Sequence, residues 1–273
     1  MKIAIGVGLG ICVLLIALSR ALLAGPTHAV PSATASTSSA PEDDRKLQQI
    51  AAATLGPREG TIVVMDLQTG RVRAVVNPRF AFQQAHPAGS TIKPFTALAL
   101  LRAGTVDADS RIICREHYTH EDFNTVCSHE RNIQPLNAAA AIAHSCNFYF
   151  GTLAEILDES NLAHLLDDFG FGRPTGINNP DESPGVLLRK DWRPANMIGE
   201  GRTLQVTPIQ LLTAYAALAN GGRLLQPAIT ADTNLIPRIR SELKLTEAER
   251  AVLLEGMRGA VRFGTAEKAD LDS

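Results

Sequence analysis

Pro87-Ala88-Gly89-Ser90-Thr91-Ile92-Lys93-Pro94 is the stretch on which both the fold and the chemistry of this 273-residue chain turn. A serine hydroxyl is a poor nucleophile at neutral pH and needs a base beside it. Residues three apart share one face of a helix, so Lys93 is within reach of the Ser90 hydroxyl. Lysine acts as a base only if burial or neighbouring charge lowers its pKa, and Ile92, Phe95 and Leu98 supply an apolar surround. Ser90 at the helix start also puts its N–H among the unpaired donors there, which suit a developing oxyanion. Taken alone, S-x-x-K is a weak signal, and a helix cap with an exposed lysine explains it equally well.

Ser145-Cys146-Asn147 strengthens the case. A second serine near the first pair can relay a proton, and the Asn147 amide offers both a donor and an acceptor to a substrate. The preceding run Ala138–Ala143 is small enough for this segment to approach a neighbouring helix closely.

Outward from these two triads, Thr61–Asp66 and Arg71–Val76 flank Leu67-Gln68-Thr69-Gly70 and read as a β-hairpin. Helices are expected over 47–55, 91–101, 137–157 with a break at 145–147, and 162–169. Two more are expected over 208–219 and 246–261, opened by Thr207 and by a Thr246/Glu249 capping box. Strands first and helices later indicate α+β. The hairpin needs a partner to be stable, and no later run looks like one.

Composition is that of a globular domain: 45% hydrophobic, 20% charged, net charge −2. Neither a basic face nor a supply of aromatics points to nucleic acid. Lys2 followed by apolar Ile3–Leu18 is a targeting segment. Its sixteen residues span about 24 Å as a helix against a bilayer core of about 30 Å. Residues 1–29 therefore read as a cleaved signal peptide or a retained anchor in the inner membrane, with Thr27-His28-Ala29 as a cleavage site. Residues 30–44 read as a disordered linker, and 45–273 as the folded domain, lying outside the cytoplasm. In that compartment Cys114 and Cys127 are disulfide candidates, closing a loop for which chain entropy gives about 3 kcal/mol. Free thiols are the alternative. Cys114, His117, His120, Cys127 and His129 fit no common zinc spacing, so no metal and no cofactor is expected.

Together these motifs resemble the penicillin-binding protein transpeptidase domain, whose S-x-x-K and S-x-N elements they match. Further likeness lies in Phe169-Gly170-Phe171-Gly172, Thr175-Gly176, Glu182 and Gly185. It continues through Ile198-Gly199-Glu200-Gly201, Val206-Thr207-Pro208-Ile209-Gln210 and Ala219-Asn220-Gly221-Gly222. The resemblance covers roughly residues 45–273. It implies a penicillin-binding, β-lactamase-like fold and acyl transfer on the D-Ala-D-Ala end of peptidoglycan stem peptides, with β-lactams as ligands. Ser90 would be the nucleophile, Lys93 the base and Ser145 the proton relay, while Asn147 would bind the acyl side chain or orient Lys93. A catalytically impaired fragment or a non-catalytic periplasmic binding or scaffold protein is the alternative, and a β-lactamase or β-lactam sensor a further one. Asn147 argues against the last, because class D β-lactamases carry a hydrophobic residue there. Gly264-Thr265-Ala266 resembles the segment that precedes the family's K-T-G motif. No K-T-G follows within the 273 residues, and Arg262-Phe263-Gly264 is a remote stand-in. The chain as given is therefore expected to be acylated poorly.

Overall fold

The computed structural model describes residues 4–8, 11–16, 41–130 and 133–269. The expected cleavage triplet and most of the 30–44 linker lie outside them. In chain order the strands are β1 (Ala4–Gly8), β2 (Ile11–Ile16), β3 (Thr61–Asp66), β4 (Arg71–Val76), β5 (His86–Pro87), β6 (His117–His120), β7 (Phe123–Val126), β8 (Val186–Leu187), β9 (Leu204–Val206), β10 (Arg223–Leu225), β11 (Ala228–Ile229) and β12 (Ile239–Glu242). The helices are α1 (Glu42–Leu55), α2 (Pro78–Gln83), α3 (Lys93–Arg102), α4 (Ala138–Ala143), α5 (Asn147–Ala154), α6 (Glu159–Asp168), α7 (Pro194–Met197), α8 (Pro208–Ala219) and α9 (Glu247–Arg262). This is the α+β architecture expected.

β3 and β4 form the expected antiparallel hairpin within a sheet ordered β1-β2-β3-β4-β11. Its Asp66 carboxylate accepts from Gln68 N, Thr69 N and Thr69 Oγ1, which fixes the turn. Both hairpin edges are paired, contrary to the expectation that no partner exists. β11 lies parallel to β4, and β2 lies parallel to β3 with Ile11 opposite Thr61. β11 is two residues long, too short to show an alternating pattern, and β2 belongs to the segment read as a signal or anchor. Among the described residues no helix is long and apolar enough to cross a membrane.

α1 begins at Glu42, so the acidic end of the expected linker is the first turn of a helix. Glu42, Asp43 and Asp44 there face the positive end of the helix dipole. Asp44 is buried and receives Arg71 and Arg73 from β4, which ties α1 to the sheet. Gln48 adds a two-way bond to the backbone of Val75, at 2.9 Å each way.

The largest apolar cluster is helical. Phe95, Leu98 and Leu100 of α3 pack with Phe150 of α5, Leu166 of α6 and Ala214 and Leu218 of α8. Phe95 meets Phe169, Phe171 and Tyr215 edge to face, with centroids 5.0–5.5 Å apart. Phe169 and Phe171 thus have a packing role, holding α3 against the rest of the core.

Candidate active site

The Ser90 segment is braced from below. β5 pairs with β9, and β9 with β8, in a three-stranded ribbon. Gly89 has φ +57° and opens a 3-10 turn, Gly89–Ile92, that runs directly into α3. Gly199 lies against it: a Cβ there would fall 2.0 Å from the Gly89 carbonyl oxygen. Tyr215 donates to the Thr91 carbonyl at 2.8 Å, and Thr96 to the Met197 carbonyl at 2.6 Å. The Ile198–Gly201 and Val206–Gln210 motifs therefore set the backbone that presents Ser90, while the Ser90 side chain is exposed.

Lys93 is the opposite. It is 1% exposed, and its Nζ donates to Ser145 O at 2.8 Å, Ser145 Oγ at 2.9 Å and Asn147 Oδ1 at 2.5 Å. Burial brings its pKa down to about 8, against the upward pull of nearby cysteine sulfurs and Glu200. The structure thus joins three of the four expected site residues directly. Ser90, one turn earlier, makes no side-chain hydrogen bond among the described residues.

Ser145 has φ +50°, the left-handed region that a non-glycine residue rarely adopts. That conformation aims its carbonyl and hydroxyl together at Lys93. On its N-terminal side α4 is held by α9. A Cβ on Gly256 would meet Ala139 O at 2.8 Å, and one on Gly264 would meet Ala143 O at 2.1 Å. The small-residue run lets α4 come this close, as its composition suggested. Gly264 is accordingly a packing residue. Among the described residues α9 is followed by a 3-10 turn, Glu267–Ala269, and Arg262 ends a helix.

The polar stretch between Cys114 and His129 is a second β-hairpin, β6–β7, which its sequence did not reveal. From it Thr125 Oγ1 and Val126 O accept from the Asn147 amide at 2.9 and 3.2 Å. Asn147 therefore bridges the hairpin and Lys93.

The hairpin also brings the cysteines together. Cys114 and Cys127 are free thiols with Sγ atoms 3.6 Å apart, and no bridge joins them. Cys146 Sγ lies 3.5 Å from Cys114 and 3.7 Å from Cys127. His129 Nε2 lies 3.6 Å from Cys114 Sγ. All four donor atoms fall within 4.8 Å of one another. Around a tetrahedral zinc ion, Zn–S of about 2.3 Å and Zn–N of about 2.0 Å put donors roughly 3.5–3.8 Å apart. Each sulfur also accepts a backbone N–H, from Glu116, Phe148 and Tyr149, at 3.2–3.3 Å. These four residues could hold Zn²⁺, where spacing alone indicated no metal. Cys146 sits inside the Ser145–Asn147 triad, outside the Cys114–His129 stretch, so no contiguous pattern existed to find. His117 and His120, the other histidines considered, are not in the cluster.

The structure thus sets a buried lysine against an S-x-N triad, one turn from an exposed serine, on a helix packed among other helices. The family model for the penicillin binding protein transpeptidase domain matches residues 60–267, and this chain belongs to that family. The peptidoglycan D,D-transpeptidase MrdA of Acinetobacter baumannii is 29% identical over 235 residues, 70% of this chain and 35% of the relative. The probable peptidoglycan D,D-transpeptidase PbpC of Pseudomonas aeruginosa is 25% identical over 268 residues, 83% of this chain and 47% of the relative. Among solved structures, P. aeruginosa PBP2 in complex with WCK 5153 superposes with a TM-score of 0.72 at 27% identity, over 84% of this chain and 63% of that one. The chain thus spans between about a third and a half of the length of these two curated relatives.

Proposed function

We propose that this chain performs serine acyl transfer on the D-Ala-D-Ala end of peptidoglycan stem peptides. The observation that carries the reading is the buried Lys93 amine, held by Ser145 and Asn147 one turn from exposed Ser90. Ser90 Oγ attacks the carbonyl carbon of the penultimate D-alanine as its proton passes to neutral Lys93. The negative charge that develops on the carbonyl oxygen meets the N–H of Ser90 in the first turn. The C–N bond then breaks, and the departing D-alanine nitrogen takes a proton delivered through Ser145. An amine of a second stem, or water, resolves the ester. A β-lactam acylates the same hydroxyl. The names of the relatives support this substrate class. The apolar Ile3–Leu18 run supports targeting beyond the cytoplasm and attachment to the inner membrane.

The second reading is a stem-peptide-binding protein without turnover. It is favoured by Lys93 directing its bonds to Ser145 and Asn147, with none to Ser90. Incubation with a fluorescent penicillin separates the two. The acyl-transfer reading expects a single adduct, mapped by peptide mass spectrometry to Ser90 and absent in Ser90→Ala. Saturable, non-covalent binding of a stem pentapeptide without any adduct supports the second reading instead.

A further inference from the structure

The β6–β7 hairpin and the α7 segment face each other across a cleft of about 360 Å³. Each wall is tied to a different part of the site. From the hairpin, Thr125 and Val126 hold the Asn147 amide. From the other side, Gly199 lies against the carbonyl of Gly89, the residue before Ser90. The charge of Glu200, in the same wall, is near enough to raise the Lys93 pKa. The lining sorts into three parts. Phe123, Pro194 and Ala195 are apolar. Glu121 and Asp122, at the hairpin tip, are matched by Arg193 at 3.8 and 3.6 Å. All three are largely exposed, where such pairs contribute little and yield readily to a ligand. Glu200 is the remaining acid. Its N–H donates to Ala195 O and its carbonyl accepts from Asn196 Nδ2, each at 3.0 Å, so its backbone is fixed. Its exposed carboxylate has no hydrogen bond or ion pair among the described residues. His120 does not compensate it, because its Nδ1 lies 3.5 Å from Glu155.

We propose that this cleft is the acceptor subsite, in which Glu200 binds the ammonium of an alkyl primary amine and delivers that amine to the Ser90 ester. The proposal deepens the acyl-transfer reading and rests on it. A fixed, uncompensated carboxylate at the end of an apolar slot suits an ammonium on a methylene chain: the chain lies along Phe123 and Pro194, and the charged head meets Glu200. The bound ammonium sheds one proton to water by way of the carboxylate. Its nitrogen lone pair then attacks the ester carbonyl carbon and forms the C–N bond. The C–O bond to Ser90 Oγ breaks, and a second proton from the amine passes through Lys93 to that oxygen. The products are an amide and the free serine, with one proton released overall. Water in the same place gives the acid instead, so the occupancy of the cleft decides between cross-link and hydrolysis.

Binding is measured first, without any acyl donor. The full chain is titrated with N-acetyl-lysine methylamide and followed by calorimetry or NMR. Saturable binding is expected, and the norleucine analogue, which lacks the amine, should bind at least about tenfold more weakly. Glu200→Gln should lose affinity for the lysine probe to the same extent, and keep its affinity for the norleucine analogue. With a D-Ala-D-Ala donor added, the lysine probe should divert product from acid to amide, saturating over the same concentrations. Glu200→Gln should return that ratio towards acid by about tenfold. Fluorescent-penicillin labelling of Ser90 reports acylation alone. Labelling that is absent while amine binding is intact would remove the acyl-transfer reading, and with it the delivery step, but leave the amine site standing. Three results would each overturn the amine site, whatever the labelling shows: no saturable binding, equal binding of the norleucine analogue, or native affinity in Glu200→Gln. An unchanged amide-to-acid ratio in Glu200→Gln would overturn its role in delivery.

Discussion

Lys93 shows how one side chain is tuned from several directions. Its amine is buried, which favours the neutral base, yet three oxygens accept from it, which favours the cation. With burial prevailing at a pKa of about 8, roughly one molecule in ten holds a neutral Lys93 at pH 7. Acylation by a fluorescent penicillin should therefore rise about tenfold per pH unit below that value and level off above it. Lys93→Arg keeps the charge but cannot deprotonate, and should lower the acylation rate by about 10²–10⁴ at every pH. A flat pH profile in the native chain, or an active arginine variant, would remove Lys93 from the base role. Ser90, Lys93, Ser145 and Asn147 were singled out by spacing and residue chemistry, and the roles expected of them came from the family resemblance. Cys146 was not, because its partners come from a hairpin with no apolar alternation: His117-Tyr118-Thr119-His120 buries only Tyr118.

At the scale of elements, the fold relies on close backbone approaches that only glycine permits. Gly199 has φ +108° and sits on the Gly89 carbonyl. Gly199→Ala adds strain of about 1–3 kcal/mol from backbone conformation, apart from the clash. The melting temperature should fall, and the rate of penicillin labelling at Ser90 should fall further than the stability loss explains, because the clash displaces the 3-10 turn that carries Ser90. An alanine variant with native labelling rate would show that the turn does not depend on this contact. The long elements were readable beforehand: β3 and β4 match their expected limits, as does α8, and α9 is shifted by one residue. Their caps and β-rich runs are local signals. The ribbon β5-β9-β8 was not readable, since strands of two or three residues carry no period and are defined by their partners alone.

For the molecule as a whole, the Asp44–Arg71–Arg73 cluster is the main polar link between the N-terminal helix and the sheet. Burial pushes the Asp44 carboxyl up, but hydrogen bonds and charge from the two arginines outweigh it and hold its pKa below the usual aspartate value. A depressed folded-state pKa stabilises the fold above the unfolded value of about 3.9 and ceases to do so as pH falls through the folded value. Denaturant melts should accordingly show stability declining below about pH 4, and Asp44→Asn should flatten that decline. Asp44→Ala, which strands two guanidinium groups, should cost about 3–5 kcal/mol. A variant as stable as the native chain would place α1 outside the cooperative unit. The α+β class followed from the order of strands and helices, but the partners of the β3–β4 hairpin did not, since one lies in a segment whose apolarity reads equally as a membrane anchor.

The three bonds made by Lys93 bear on inhibitor chemistry. An ammonium has three N–H groups, and here all three already point at protein oxygens. The buried Lys93 amine, one turn from Ser90, therefore has no donor left to recognise an incoming carboxylate or boronate. Compounds that reach Ser90 will gain more from complementing the exposed serine and the free lone pairs of Ser145 than from an acid group aimed at the lysine.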